Sequence, residues 1–163
     1  MKIARIGLTV ILPLSLSGCF IGANNVDEDL SLPDAKARTQ AVERQIADAL
    51  PGDLVVSIDQ NETGSFLSCT SDGGEQWAGG LTARVQAGAS AEQLLEPVSK
   101  EFEAEKDMSS QRWQRDGDDI VEIVGLHQSS WIVRYAPDRE EVHVSSFSPY
   151  IRLPEGVWRG DTY

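Results

Sequence analysis

The side chains able to do chemistry in this chain are few and far apart. Cys19 and Cys69 are its only thiols, and His127 and His143 its only imidazoles. Nucleophilic catalysis needs a nucleophile beside a base, commonly histidine, with a third group to orient that base. Neither histidine sits in such a motif. His127 falls in the turn-like string Gly125-Leu126-His127-Gln128-Ser129, and His143 alternates against Val142 and Val144, so both read as surface residues. Ser65, Ser68, Ser129 and Ser130 lie in strand-like or turn-like stretches without a G-x-S-x-G elbow. The thiols and imidazoles also lack structural zinc spacing. Asp116-Gly117-Asp118-Asp119 lacks the ordered ligands and distal glutamate of an EF-hand loop, which leaves a plain acidic turn, with weak calcium binding by Asp116, Asp118 and Asp119 as the alternative. These residues therefore assign no catalytic group, no metal site and no cofactor.

Cys19 stands apart because of what precedes it. Lys2 and Arg5 lead into the apolar run Ile6 to Leu16, the charged-then-apolar layout of a secretory signal. A membrane-spanning helix needs ~20 apolar residues, and this run is shorter and contains Pro13. An ordinary secretory cleavage site shows small residues in an A-x-A-like arrangement, whereas here Leu16-Ser17-Gly18 precedes a cysteine. The string Leu16-Ser17-Gly18-Cys19 resembles the lipobox of bacterial lipoprotein precursors.

That resemblance implies a role for each of its residues. Cys19 would carry a diacylglyceryl group through a thioether and become the new N-terminus after cleavage between Gly18 and Cys19. Ser17 and Gly18 would be the small residues that admit the peptidase, and Leu16 the apolar residue that opens the box. Residues 1–18 would then be a signal peptide, and the mature protein would sit on the extracytoplasmic face of a bacterial cell membrane. Two acyl chains hold firmly where one is marginal, at ~0.8 kcal/mol per buried CH₂. In its acidity and its helix-and-sheet layout the chain also resembles small cell-envelope lipoproteins of actinobacteria, without a further motif that carries a residue role across. With Cys19 acylated, Cys69 has no intramolecular partner. Cys69 shares a strand face with Leu67 and reads as a buried, inert thiol, with an intermolecular disulfide or a reactive nucleophile as alternatives.

Charge narrows the partners. Loss of the leader removes Lys2 and Arg5 and takes the formal net charge from −12 to −14. Nucleic acid calls for basic patches, and anionic lipid repels an acidic surface, so the lipid on Cys19 would be what holds the protein at the membrane. Residues 19–33, with Asn24-Asn25 and the acids Asp27, Glu28 and Asp29, show no sustained period and read as a flexible tether. Residues 34–163 are enough for one domain with a core of its own.

The elements that must position any site follow from hydrophobic period. Asp34 to Leu50 reads as a helix with Val42, Ile46 and Leu50 on its buried stripe and Lys36, Arg38, Glu43, Arg44 and Asp48 in water. Asp53 to Gln60 switches to period two. Asn61-Glu62-Thr63-Gly64 then supplies a turn toward a strand at Phe66, which predicts a hairpin; the glycosylation pattern Asn61-Glu62-Thr63 reads as turn chemistry. Trp77, Gly79, Leu81, Ala83 and Val85 give a third strand, where Gly79 and Gly80 suit a bulge, close packing or a ligand's approach. Ser90 and Gln93 have capping-box spacing ahead of Leu94, Val98 and Phe102, with Pro97 marking a kink or a second helix start near Glu96. Gln111–Arg115, Ile120–Leu126, Ser130–Ala136 and Glu141–Phe147 read as a meander.

The resulting expectation is an α+β domain, a mostly antiparallel sheet of about six to seven strands with two helices packed on it. Trp77, Trp113, Trp131 and Trp158 are many tryptophans for this size, and the aperiodic tail Ser148–Tyr163 either docks along the sheet or offers aromatic residues to a partner. For function the chain reads as a lipid-anchored, noncatalytic binding module whose partner is a protein, a wall polymer or a small ligand. The alternative is a small membrane-tethered hydrolase whose active site is dispersed in sequence, built on Cys69 or an acid pair.

Overall fold

Ser31 and Pro33 start the first helix ahead of the point that periodicity alone indicates. In the computed structural model, which describes residues 26–68 and 73–163, helix α1 spans Leu32–Ala49, and the Ser31 hydroxyl accepts from the Asp34 amide at 3.2 Å. The whole of Leu16-Ser17-Gly18-Cys19 and also Cys69 lie outside the described residues. The stretch read as tether is fastened to the domain from Val26 onward. Val26 bridges Tyr150, the Asp27 amide donates to the Tyr150 carbonyl at 2.8 Å, and Arg152 pairs with Glu28 at 3.0 Å.

Seven strands follow in an all-antiparallel sheet: β1 (Val55–Gln60), β2 (Ser65–Ser68), β3 (Glu75–Val85), β4 (Ser109–Arg115), β5 (Asp118–Val124), β6 (Ser130–Ala136) and β7 (Glu141–Phe147). Helix α2 (Ala91–Glu103) lies between β3 and β4 in the chain. The α+β class and the β4–β7 meander match the sequence pattern, and the spatial order is β1-β3-β7-β6-β5-β4.

The expected β1–β2 hairpin is not formed. Both strands pair with the same edge of β3, β1 against Leu81–Val85 and β2 against Glu75–Ala78, so they lie in line as one edge strand broken at Asn61–Gly64. The break is held at both ends. The Asn61 amide donates to the Gly80 carbonyl at 2.9 Å, and Gly64 exchanges backbone hydrogen bonds with Tyr163. The bulge lies in β1, between Val55 and Ser57, rather than at Gly79-Gly80. Those glycines serve close packing: a Cβ on Gly79 would sit 2.1 Å from the Trp77 ring, and one on Gly80 2.5 Å from the Val144 carbonyl oxygen. Trp77 is fully buried there, and its indole N–H donates to the Tyr163 carbonyl at 2.9 Å, so the C-terminal tail docks on the domain.

Both helices cover one face of the sheet. Helix α1 lies over β3 and β7, and α2 over β4, β5 and β6. Between them Ile46, Leu94, Leu95, Val98 and Phe102 meet Leu81, Ala83, Val85, Val121, Ile123, Val133 and Val142. Helix α2 carries the predicted Ser90–Gln93 capping box and runs unbroken through Pro97. Burial of Leu94, Leu95, Val98 and Phe102, each worth about 1.5–3 kcal/mol, offsets the ~3 kcal/mol that a proline costs inside a helix.

One expectation for α1 is overturned. Glu43, assigned to water, is completely buried, because helical spacing places it on the same stripe as Thr39, Ile46 and Ala47. Its carboxylate accepts from the Ser146 hydroxyl on β7 and from Gln60 Nε2 on β1, the latter at 2.6 Å.

Candidate functional site

Among the described residues no helix covers the opposite face of the sheet, and strand alternation decides what it displays. Register places one residue from each of six strands in a row across it. Trp113 of β4 stands opposite Ile120 of β5, which stands opposite Arg134 of β6; the row continues through His143 of β7 and Thr82 of β3 to Asp59 of β1. At ~4.8 Å between neighbouring strands the row is ~24 Å long. Its apolar end is well packed, with Ile120 only 4% exposed between Trp113 and Arg134.

Two open cavities follow this row. The larger, about 420 Å³, is walled by Trp113, Ile120, Ile132, Arg134, His143 and Ser145, with Arg115, Asp116 and Asp118 at its rim. The smaller, about 300 Å³, is walled by Ser57, Asp59, Thr82, Arg84, Glu141 and His143. His143 belongs to both. The larger falls within the ~300–1,000 Å³ usual for ligand sites.

The charges on this face come in pairs. Arg134 lies 3.5 Å from Asp118, Arg115 3.6 Å from Asp116 and Arg84 4.0 Å from Glu141. His143 is held between two strands' side chains: Nδ1 is 3.3 Å from the Thr82 hydroxyl, and Nε2 is 3.1 Å from Glu141 Oε2 without the alignment of a hydrogen bond. The Trp113 indole N–H, on a wall of the larger cavity, is shielded from water and has no hydrogen-bond partner among the described residues; His143 Nε2 is shielded too, with Glu141 as its near neighbour.

A hydroxyl, an imidazole and a carboxylate in sequence, as in Thr82–His143–Glu141, are the ingredients of a nucleophilic relay. The backbone around Thr82 is unsuited to one. Thr82 is in mid-strand with β1 paired on one side and β7 on the other, so its neighbouring amides are engaged in the sheet and do not form an oxyanion hole. What the arrangement does supply is a set of oriented donors and acceptors beside an indole and two isoleucines. That is binding chemistry.

The other residues singled out by sequence are dispersed. His127 sits in a 3-10 turn, Leu126–Gln128, with φ of 50°, and its Nε2 is 3.9 Å from Asp27. It lines a separate cavity of about 240 Å³ at the end of the sheet, walled by Val42, Met108, Leu126 and Trp131. The two histidines therefore serve different places. Asp116 and Gly117 form the tight β4–β5 turn with φ of 54° and 92°. Asp118 turns to Arg134 and Asp119 accepts from Gln114, so alternation sends these carboxylates to opposite faces; among the described residues no three potential metal ligands converge. Ser129 is buried with its hydroxyl on the Leu126 carbonyl, and Trp131 is part of the core. Trp158 is exposed on the tail.

Two carboxyls on the helix-covered side depart from their ordinary titration. Burial raises the Glu43 carboxyl above its ordinary value beneath α1, against the opposing hydrogen bonds from Ser146 and Gln60. Lys100, and then Arg112, lower the Glu96 carboxyl on the exposed side of α2. Trp113, Arg134, Thr82 and Asp59 carry no sequence motif, and their one signal is alternation opposite the apolar positions of each strand.

The fold and site together define a class: a small antiparallel sheet with helices on one face and a polar-aromatic row on the other. In comparison with protein families, curated proteins and solved structures, no family model, protein or structure matches the chain.

Proposed function

We propose that this chain is a lipid-anchored lipoprotein of the bacterial cell envelope, held by Cys19 on the extracytoplasmic face of the membrane, and that it acts as a noncatalytic binding module through the uncovered sheet face. The leader and the string Leu16-Ser17-Gly18-Cys19 support the anchor. The observation that carries the binding role is the row from Trp113 to Asp59, with the Trp113 indole N–H on the wall of the larger cavity and without a hydrogen-bond partner among the described residues. Fastening of the chain from Val26 leaves only the few residues after Cys19 between lipid and domain, so the module would work close to the membrane. Among the described residues no helix is long and apolar enough to cross a membrane.

A hydrolase is the second reading, and the Thr82–His143–Glu141 contact is the observation that favours it. The paired backbone on both sides of Thr82 weighs against it. Cell fractionation tests the anchor: the native chain should stay with the membrane and Cys19→Ala should release it. Released Cys19→Ala protein added back to isolated envelopes of the producing bacterium tests the module. It should cosediment, and Arg134→Gln or His143→Ala should abolish this; native protein in the soluble fraction, or cosedimentation indifferent to both substitutions, would contradict the proposal.

A further inference from the structure

The ligand's chemistry can be read from how the row is furnished. Its length across the strands favours a linear molecule, and two cavities that share His143 as a wall favour one with repeating units. Both signs of charge are present and already paired, at Arg134–Asp118, Arg115–Asp116 and Arg84–Glu141. A strongly anionic polymer would meet these carboxylates and the chain's net charge of −12, and a strongly cationic one would have to displace the arginines. A neutral molecule bearing many hydroxyl groups meets neither obstacle. Each hydroxyl donates to a carboxylate and accepts from a guanidinium, and the two cavities are lined by both, Asp118 and Arg134 in the larger and Asp59, Glu141 and Arg84 in the smaller. The indole of Trp113 and the side chains of Ile120 and Ile132 supply apolar surface for the carbon faces of sugar rings. An extended peptide is served less well here, since its backbone would cross the strands instead of adding to a sheet edge.

Building on the binding-module reading above, we infer that the row from Trp113 to Asp59 is a binding site for a neutral, linear glycan laid across the strands. The cavity beside Trp113 takes one end and the cavity beside Asp59 the other, with His143 between them.

The test uses the full-length protein in a detergent without a sugar headgroup, titrated with neutral pentasaccharides of glucose (β-linked and α-linked) and of β-linked N-acetylglucosamine. Calorimetry and tryptophan fluorescence are read together. At least one pentamer should bind with a Kd below about 1 mM, and its dimer about tenfold more weakly. Trp113→Ala and His143→Ala should each weaken the pentamer about tenfold, and Arg134→Gln, which leaves the apolar surface intact, should do so as well if the fold of the first two is disturbed. Absence of binding by every pentamer at about 5 mM, binding indifferent to all three substitutions, or tighter binding of an acidic pentasaccharide or a peptide would overturn the inference. If sugars fail while Arg134→Gln still abolishes cosedimentation with envelopes, the glycan falls and the binding face stands. If both fail, the binding-module reading falls with it.

Discussion

The two faces of one sheet, built by the same strands, have become different materials. Beneath the helices, β5, β6 and β7 contribute Val121, Ile123, Val133, Val142 and Val144, all nearly or fully buried. On the reverse the same three strands contribute Ile120, Ile132, Arg134, His143 and Ser145. The first set has a single task, exclusion of water, and any residue of the right volume and polarity meets it. The second set is chemically mixed and ranges from buried Ile120 to exposed Ser145. An exposed sheet face that needs only solubility would be filled with mobile charge. A shielded indole N–H without a hydrogen-bond partner among the described residues is a cost that a solubility surface has no reason to carry. The difference separates a water-excluding side from a chemically mixed one, which is what the proposed binding role would require.

Substitutions on the two sides should therefore separate stability from binding. The largest loss is expected from Phe102→Ala, which empties a fully buried position under α2 and should lower unfolding free energy by about 3–5 kcal/mol in a denaturant melt. Gly79→Ala comes next. Its Cβ would meet the Trp77 ring, which Gly64 confines as well, and about 1–3 kcal/mol should be lost.

Glu43 sharpens the contrast through pH. Because burial raises its carboxyl, the folded protein holds that proton more tightly than the unfolded chain does. Stability contributed at this site should fall as pH rises from the ordinary carboxylate value of 4.5 toward the raised folded value, and level off above it. Glu43→Gln keeps partners for Ser146 and Gln60 and should remove that slope, so its melting temperature relative to the native chain should rise between acid and neutral pH. On the uncovered face, Arg134→Gln should change unfolding free energy by less than about 0.5 kcal/mol, since its ion pair with Asp118 is long and solvent-exposed. Envelope binding should nevertheless be lost. A large loss of stability from that substitution would merge the two faces into one structural role.

Much of the helix-covered side was legible in sequence because it rests on short-range period. Leu94, Val98 and Phe102 at helical spacing, the Ser90–Gln93 box and the alternation of Trp131, Val133 and Tyr135 each act within a few residues. Non-local decisions were not legible. Pairing of β1 and β2 to one edge of β3 depends on Gly64 meeting Tyr163, far apart in the chain, and a local turn signal at Asn61–Gly64 points to a hairpin instead. Glu43 misleads in the same way, since the Ser146 and Gln60 that allow its burial come from β7 and β1. The row shares this origin. Its members are ordinary outward positions in six strands, and they become a row only when register aligns them.

The role of the uncovered face is tested most directly by hydroxyl-radical footprinting of the full-length protein in isolated cell envelopes against the same protein purified. Trp113, Ile132 and His143 should be protected in the envelope, while Gln45, Lys100 and Glu101 on the outer side of the helices should react equally in both. Protection confined to the helix side, or no protection on the row, would contradict the assignment of binding to this face.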